Sequence, residues 1–311
     1  MRNSHGRAPN WVRAIERNGC ASARDARRFD GQMRMDVGRI QLNVEITGEG
    51  PALVLLHGWP QSGRCWNPVV ELLRERYTLI VPDLPGYGRS DRPADGYEKR
   101  AMATDIAGLL DRLELPSAAV IGHDRGARVA HRLCLDHPTR VAAVGLLDII
   151  PTREMLSRMD ETIARAYWHW TFLLQPELPE ALIRPQNYNS FVGHVLHRAT
   201  GLSDPFDEPA IESYAAEFDL TTTLADYRAV FQDREDDTVS HLDGIRITAP
   251  ALIAWGELGL MGRLQTAEIW SHYADTLRCR EIAGAGHFLP EEAPQAVADE
   301  VDQFLLSVSY R

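Results

Sequence analysis

The stretch from Ala118 to Arg128, AAVIGHDRGAR, constrains this chain more than any other. A short apolar run stops at Gly122. His123, Asp124 and Arg125 follow, then a second glycine, Gly126, and at once a helical spacing of apolar residues (Val129, Leu133). This is the strand, sharp turn and helix of a nucleophile elbow, with Asp124 at the apex where the better-known version carries serine. Glycines two before and two after the apex relieve crowding where the backbone bends hardest. A plainer reading makes Asp124 an N-cap on an ordinary strand–helix turn. The rest of the chain decides between the two.

Around that stretch the pattern alternates between strands and helices. Residues 40–46 alternate apolar and polar and read as a half-buried strand. Residues 52–56, 77–81 and 141–147 are continuous apolar runs, as expected of buried parallel strands. Met102, Ile106, Leu109, Leu110 and Leu113 space out a helix over 98–113, which Pro116 stops. From Pro151 to about Asp236 the strand signal disappears. That segment is helical in pattern and rich in large aromatic residues. Strands return at 251–255 and near 277–282, and a helix closes the chain over 291–306. The order predicts an α/β fold with a mostly parallel central sheet and helices on both faces. The core is expected over 35–150 and 237–311, with a helical cap inserted over 151–236.

Residues 1–34 read differently. They carry eight arginines against three acids, Glu16, Asp25 and Asp30, with little apolar periodicity. No apolar h-region marks a secretory signal. The expectation is a disordered extension, or a true start at Met33 or Met35, with an Arg-rich transit peptide as the alternative. No run approaches the length that spans a membrane. A net charge of −11 argues against a nucleic-acid partner. It also requires local arginines to override the global field if the substrate is an anion. Cys20, Cys65, Cys134 and Cys279 are far apart, without metal-ligand spacing, and read as reduced thiols of a cytoplasmic protein.

Three residues fall in a telling order: Asp124 after one strand, Asp148 after the next, and His287 after the last. Ligands of open α/β sheets bind at strand carboxyl ends, and a nucleophile, an acid and a late histidine there follow triad logic. Two carboxylates compete for the acid. Asp148 is favoured; Glu257, after the following strand, is the alternative.

The chain resembles the α/β-hydrolases and, among them, the haloacetate (fluoroacetate) dehalogenases. The matching residues are His57–Gln61 (HGWPQ), Asp83–Gly88 (DLPGYG), Lys99–Ala103 (KRAMA), Gly122–Arg128, Leu147–Ile149 (LDI), Tyr167–Trp170 (YWHW), Asp226–Ala229 (DYRA) and Gly286–Glu292 (GHFLPEE). The resemblance covers everything after about residue 35. It implies that Arg125 and Arg128 hold the substrate carboxylate. It implies that His169, Trp170 and Tyr227 form the halide pocket, and that the N–H groups of Trp59 and Arg125 form an oxyanion hole. It also implies a homodimer. The chain departs from the family at His197, where relatives often carry a cap tryptophan, and in the bulk of Trp168. Many hydrolases of this fold place an aspartate where this chain has Gly259.

The chemistry of the residues points the same way. A carboxylate nucleophile suits displacement at an sp³ carbon, because the resulting ester can be hydrolysed at its own carbonyl. Arginine forks bind carboxylates bidentately. A departing halide needs donors, which imidazole, indole and phenol supply on rigid apolar bodies. The expected activity is hydrolysis of haloacetate to glycolate and halide, by a cytoplasmic enzyme needing no metal or organic cofactor and acting on a small anionic haloacid. An epoxide hydrolase is the alternative, and would want two cap tyrosines. A hydrolase-fold binding protein without turnover is a third reading.

Overall fold

A computed structural model of the chain describes residues 33–310, so the expectations for residues 1–32 and for Cys20 lie outside the described residues. Among the described residues, eight strands form one sheet: β1 (Met33–Asp36), β2 (Gln41–Thr47), β3 (Ala52–Leu56), β4 (Thr78–Pro82), β5 (Ala118–His123), β6 (Val141–Leu147), β7 (Ala251–Gly256) and β8 (Leu277–Ile282). Their order is β1-β2-β4-β3-β5-β6-β7-β8. The pairs β1–β2 and β2–β4 are antiparallel and all others parallel. Every residue of β4 and β5 is buried, which requires cover on both faces. That cover includes α1 (Asn67–Leu73), α2 (Lys99–Arg112), α3 (Arg125–Asp136) and, after β8, a long terminal helix (Pro294–Ser307), which packs on α1 while α2 packs on α3.

Between β6 and β7 the chain is helical. Its elements are α4 (Thr152–Ser157), α5 (Glu161–Ala166), α6 (Trp168–Leu173), α7 (Leu178–Leu182), α8 (Tyr188–Ala199), α9 (Glu208–Glu217), α10 (Leu220–Arg228) and α11 (Val230–Leu242). This segment lies on the core partly through a row of arginines at helical spacing on α3. Arg125 bonds Asp226; Arg128 bonds the Ile150 carbonyl and Thr152; Arg132 bonds the Asp236 carbonyl and Ser240. All three are buried, so α3 is not a surface helix carrying solvated charges.

The order reverses at β3. The chain leaves it to β4 on one side and returns to β5 on the other. A crevice at the carboxyl ends of the strands flanking such a reversal is where open α/β sheets bind ligands. Three details differ from the sequence expectation. Strand β1 begins at Met33, within the residues set aside as an extension. Strand β2 is not half-buried along its length, because Asn43 turns inward to donate to Asp83 at 2.9 Å. Helical structure continues past Asp236 to Leu242, and the terminal helix is interrupted at Ala293, before Pro294, with a short turn (Leu289–Glu292) ahead of it.

Candidate active site

Asp124 sits at the apex between β5 and α3 with φ 47° and ψ −115°, a conformation that side-chain-bearing residues rarely adopt. Close packing holds it there. A Cβ on Gly126 would stand 2.4 Å from the Leu56 carbonyl oxygen, and one on Gly58 would stand 2.7 Å from the Asp124 Cβ. Only glycine lets the β3 and β5 loops approach this closely. The two carboxylate oxygens of Asp124 then meet different surroundings. Oδ2 accepts the Trp59 N–H at 3.0 Å. Oδ1 faces His287 Nε2 at 4.0 Å, too far for a direct hydrogen bond.

His287 arrives on the loop after β8. Its Nδ1 lies 2.6 Å from Asp148 Oδ2. A carboxylate cannot donate, so Nδ1–H is the donor and Nε2 is left bare toward Asp124. The second Asp148 oxygen accepts the Gly256 N–H at 3.1 Å. The other acid, Glu257, turns away and accepts the Gly284 N–H at 2.9 Å. The geometry thus brings Asp148, not Glu257, to His287.

Charges in the site follow from these contacts. Burial works against the Asp124 carboxylate, but His287, His123, Arg125 and the Trp59 N–H outweigh it and hold its pKa at about 2. Burial also works against a charged His287. The bond to Asp148 and the charges of Asp148 and Asp124 more than offset it, raising the imidazole's pKa. His123, beside Asp124, is held down at about 3 by burial and donates Nε2–H to the His287 carbonyl at 2.8 Å.

A small cavity opens above Asp124. Trp59, Tyr167, His169, Trp170, Tyr227 and His287 are in its wall. His169 stacks on Trp59 with ring centroids 5.2 Å apart, and Tyr227 meets Trp59 edge-on at 5.1 Å. Burial depresses the His169 pKa to about 3, so its ring is neutral and keeps one N–H donor. The three residues expected to hold a halide therefore share one cavity with Asp124. His197 does not reach it; it is exposed and pairs with Asp204 at 2.6 Å. Trp168 does line it.

The two elbow arginines stand against the aromatic wall. The Arg125 guanidinium lies 4.5 Å from the Tyr227 ring centroid, and that of Arg128 lies 4.9 Å from Trp170. Neither forms part of the cavity wall itself. The two arginines expected to hold a substrate carboxylate differ in how far they are already engaged, and Arg125 is the more engaged. Its Nε and Nη2 already bond the Asp226 carboxylate, which also takes Lys99 and the Tyr87 hydroxyl. Only Nη1 is left, whereas Arg128 keeps both Nε and Nη2 without a partner. The Tyr167 hydroxyl is likewise buried and unpartnered. Sequence reasoning singled out neither Asp226 nor Tyr167. The sole signal was their place in the DYRA and YWHW stretches.

Glu292 ties the histidine loop to the helical segment. Its carboxylate accepts N–H groups from Gly201 at 2.6 Å and from Gly286 and Phe288 at 2.7 Å. The His287 N–H in turn donates to the Ala199 carbonyl at 2.7 Å. Among the described residues no cluster of His, Cys, Asp and Glu could hold a metal ion, and no helix is long and apolar enough to cross a membrane.

A mostly parallel sheet with an acid at a sharp strand–helix turn, and a histidine–carboxylate pair delivered from later strand ends, defines an α/β-hydrolase. The chain belongs to that family, matching the alpha/beta hydrolase fold over residues 51–294. It is 36% identical over 291 residues to a fluoroacetate dehalogenase of a Burkholderia species, covering 89% of this chain and 95% of that protein. It is 32% identical over 277 residues to a soluble epoxide hydrolase of a Corynebacterium species, covering 85% and 93%. A crystal structure of an alpha/beta hydrolase from a Nostoc species superposes with a TM-score of 0.84 at 38% identity, covering 88% of this chain and 97% of that one.

Proposed function

We propose that this hydrolase cleaves the carbon–halogen bond of haloacetate, giving glycolate and halide. Oδ1 of Asp124 attacks the halogen-bearing carbon, while Arg128, helped by the free Nη1 of Arg125, holds the carboxylate. His169, Trp170 and Tyr227 receive the departing halide. His287, oriented by Asp148, then takes a proton from a water that attacks the Asp124 ester carbonyl. Negative charge develops on Oδ2, which already accepts the Trp59 N–H; the Arg125 N–H is the second donor of this oxyanion hole.

The observation that carries this reading is the pair of buried arginines with three unpartnered guanidinium nitrogens beside an aspartate-headed cavity. A buried, unsatisfied cation is costly unless a ligand completes it. A neutral substrate would leave these nitrogens bare.

One observation favours a second reading. Tyr167 and Tyr227 both line the cavity, and two cap tyrosines are what an epoxide hydrolase would use to polarise the epoxide oxygen. Halide release from fluoroacetate and chloroacetate, set against diol formation from a simple epoxide, decides between them. Turnover of the epoxide but of neither haloacid would overturn our reading, and turnover of nothing would favour a binding protein.

We also read the protein as a cytoplasmic homodimer with residues 151–236 as its cap. Phe231, Val239 and Leu242 on α11 are exposed and would supply apolar contact. A monomeric mass in solution would remove the dimer.

A further inference from the structure

The chain carries 44 acidic residues against 33 lysines and arginines, for a net charge of −11. An approaching carboxylate meets that repulsive field before any buried arginine. Beside the catalytic cavity lies a second, larger one, and the two share Ala166, Tyr167, Arg198, Ala199 and His287 in their walls. Three arginines stand around the second cavity: Arg165 on α5, Arg198 on α8 and Arg263 in the turn after β7. All three are exposed, so the cavity opens to solvent.

Their pairing sets two of them apart. Arg165 is bonded by Glu161. Among the described residues, no carboxylate lies within ion-pair reach of Arg198 or Arg263, although Arg34, Arg39, Arg76, Arg132 and Arg246 each have one. Among the described residues, the only acid in the wall is Asp148, which is buried and bonded to His287. Uncompensated cations at the mouth of a low-dielectric recess focus field lines and raise the local concentration of anions. In a chain of opposite overall sign, such a recess is a place where the local potential can reverse.

We propose that Arg198 and Arg263 form a capture site for small monocarboxylates, a positively charged vestibule that feeds the catalytic cavity. It rests on the haloacid reading of that cavity in one respect: the anion it gathers is the substrate. Arg198 belongs to both walls and hands the anion from one to the other, while Tyr167 and His287 stand in the partition.

Association kinetics test it. Acetate, which has no leaving group, is mixed with the whole protein in stopped flow. The fluorescence of Trp59, Trp168 and Trp170, all in the catalytic wall, reports its arrival. Replacing both vestibule arginines, Arg198→Gln with Arg263→Gln, should cut the second-order association rate by about 10-fold at low salt and flatten its dependence on ionic strength. The paired change to lysine should keep most of the rate. Arg112→Gln, an exposed arginine at the end of α2 near the amino ends of the strands, should change neither quantity. An association rate and salt slope in the double glutamine variant equal to those of the wild type would overturn the vestibule. So would an equal loss in Arg112→Gln. A wild type that binds acetate at a salt-sensitive rate through these arginines, but releases no chloride from chloroacetate, would overturn the haloacid reading and leave the vestibule standing. Failure of the wild type to bind acetate would overturn both.

Discussion

On the sheet side of the cavity the polar atoms are tied to one another: Asp124 to the Trp59 N–H, His287 to Asp148, and Asp148 to the Gly256 N–H. On the helical side, among the described residues, the side chains of Tyr167, His169, Trp170 and Tyr227 pack ring against ring and make no such hydrogen bonds. The first arrangement is preorganised and complete without a ligand. The second leaves the buried Tyr167 hydroxyl without a partner. This division implies that changes on the sheet side abolish chemical steps, whereas changes on the helical side grade them.

The largest effect is expected from His287→Asn. Attack by a carboxylate needs no base, so the alkyl-enzyme should form, but no base remains to activate water against it. Mass spectrometry with chloroacetate should find a stable adduct on a peptide containing Asp124 and no steady turnover. Absence of the adduct, with the first glycolate formed in ¹⁸O-water carrying the label, would make Asp124 a general base. Next comes Asp148→Asn, which should lower turnover by about 10⁴-fold because the imidazole loses its tautomer and its counter-charge. Glu257→Gln, whose side chain only braces Gly284, should change turnover by no more than about 3-fold, within the usual range of surface substitutions. The reverse ranking would break the assignment of Asp148.

Arg128→Met should cost about 3–5 kcal/mol in kcat/KM for haloacetate, as expected when one partner of a buried charge pair is lost. Arg125→Met should lose stability as well, because Asp226 would be left with Lys99 and Tyr87 alone. Equal melting temperatures for the two variants would contradict the different pairing seen here. Smaller again is Tyr227→Phe on the helical side. Removing one donor to a developing halide should lower kcat by about 10- to 100-fold, the worth of a hydrogen bond to a charged group. A loss as large as that of Asp148→Asn would erase the distinction between the two sides. The smallest effect is on pH dependence. His287 must be neutral to accept a proton; burial lowers its pKa, but Asp148 and Asp124 raise it above its ordinary value. The acid limb of kcat/KM should therefore rise through a pKa above about 6.5, with activity lost below it. Asp148→Asn should move that limb to lower pH.

The same division separates what could be read from the sequence from what could not. The sheet side was legible because each of its parts follows a buried apolar strand within a few residues: Asp124 after β5, Asp148 after β6, Trp59 after β3. The strand over 141–147 appears at the residues its apolar run predicts. Strand β1 was hidden because four residues of mixed character, Met33–Asp36, carry no period of their own and become a strand by pairing with β2. On the helical side, aromatic spacing announced the rings but not their partners. The pairing of Arg125 with Asp226 joins residues 101 apart in the chain, and no local pattern encodes such a contact. Asp148 was favoured over Glu257 in sequence, but spacing alone left both open because both follow strands. Only the direction of the side chains distinguishes them.

Glu292 has a mechanical consequence. Its single carboxylate is a rivet through two plates, holding Gly201 of the helical segment together with Gly286 and Phe288 around His287. Swinging the 199–202 stretch outward would pull on the same bonds that aim His287, and would strip its N–H from the Ala199 carbonyl. Opening at that seam and keeping the histidine aligned are therefore mutually exclusive. Any opening of that seam would have to fall outside the steps that need an aligned His287.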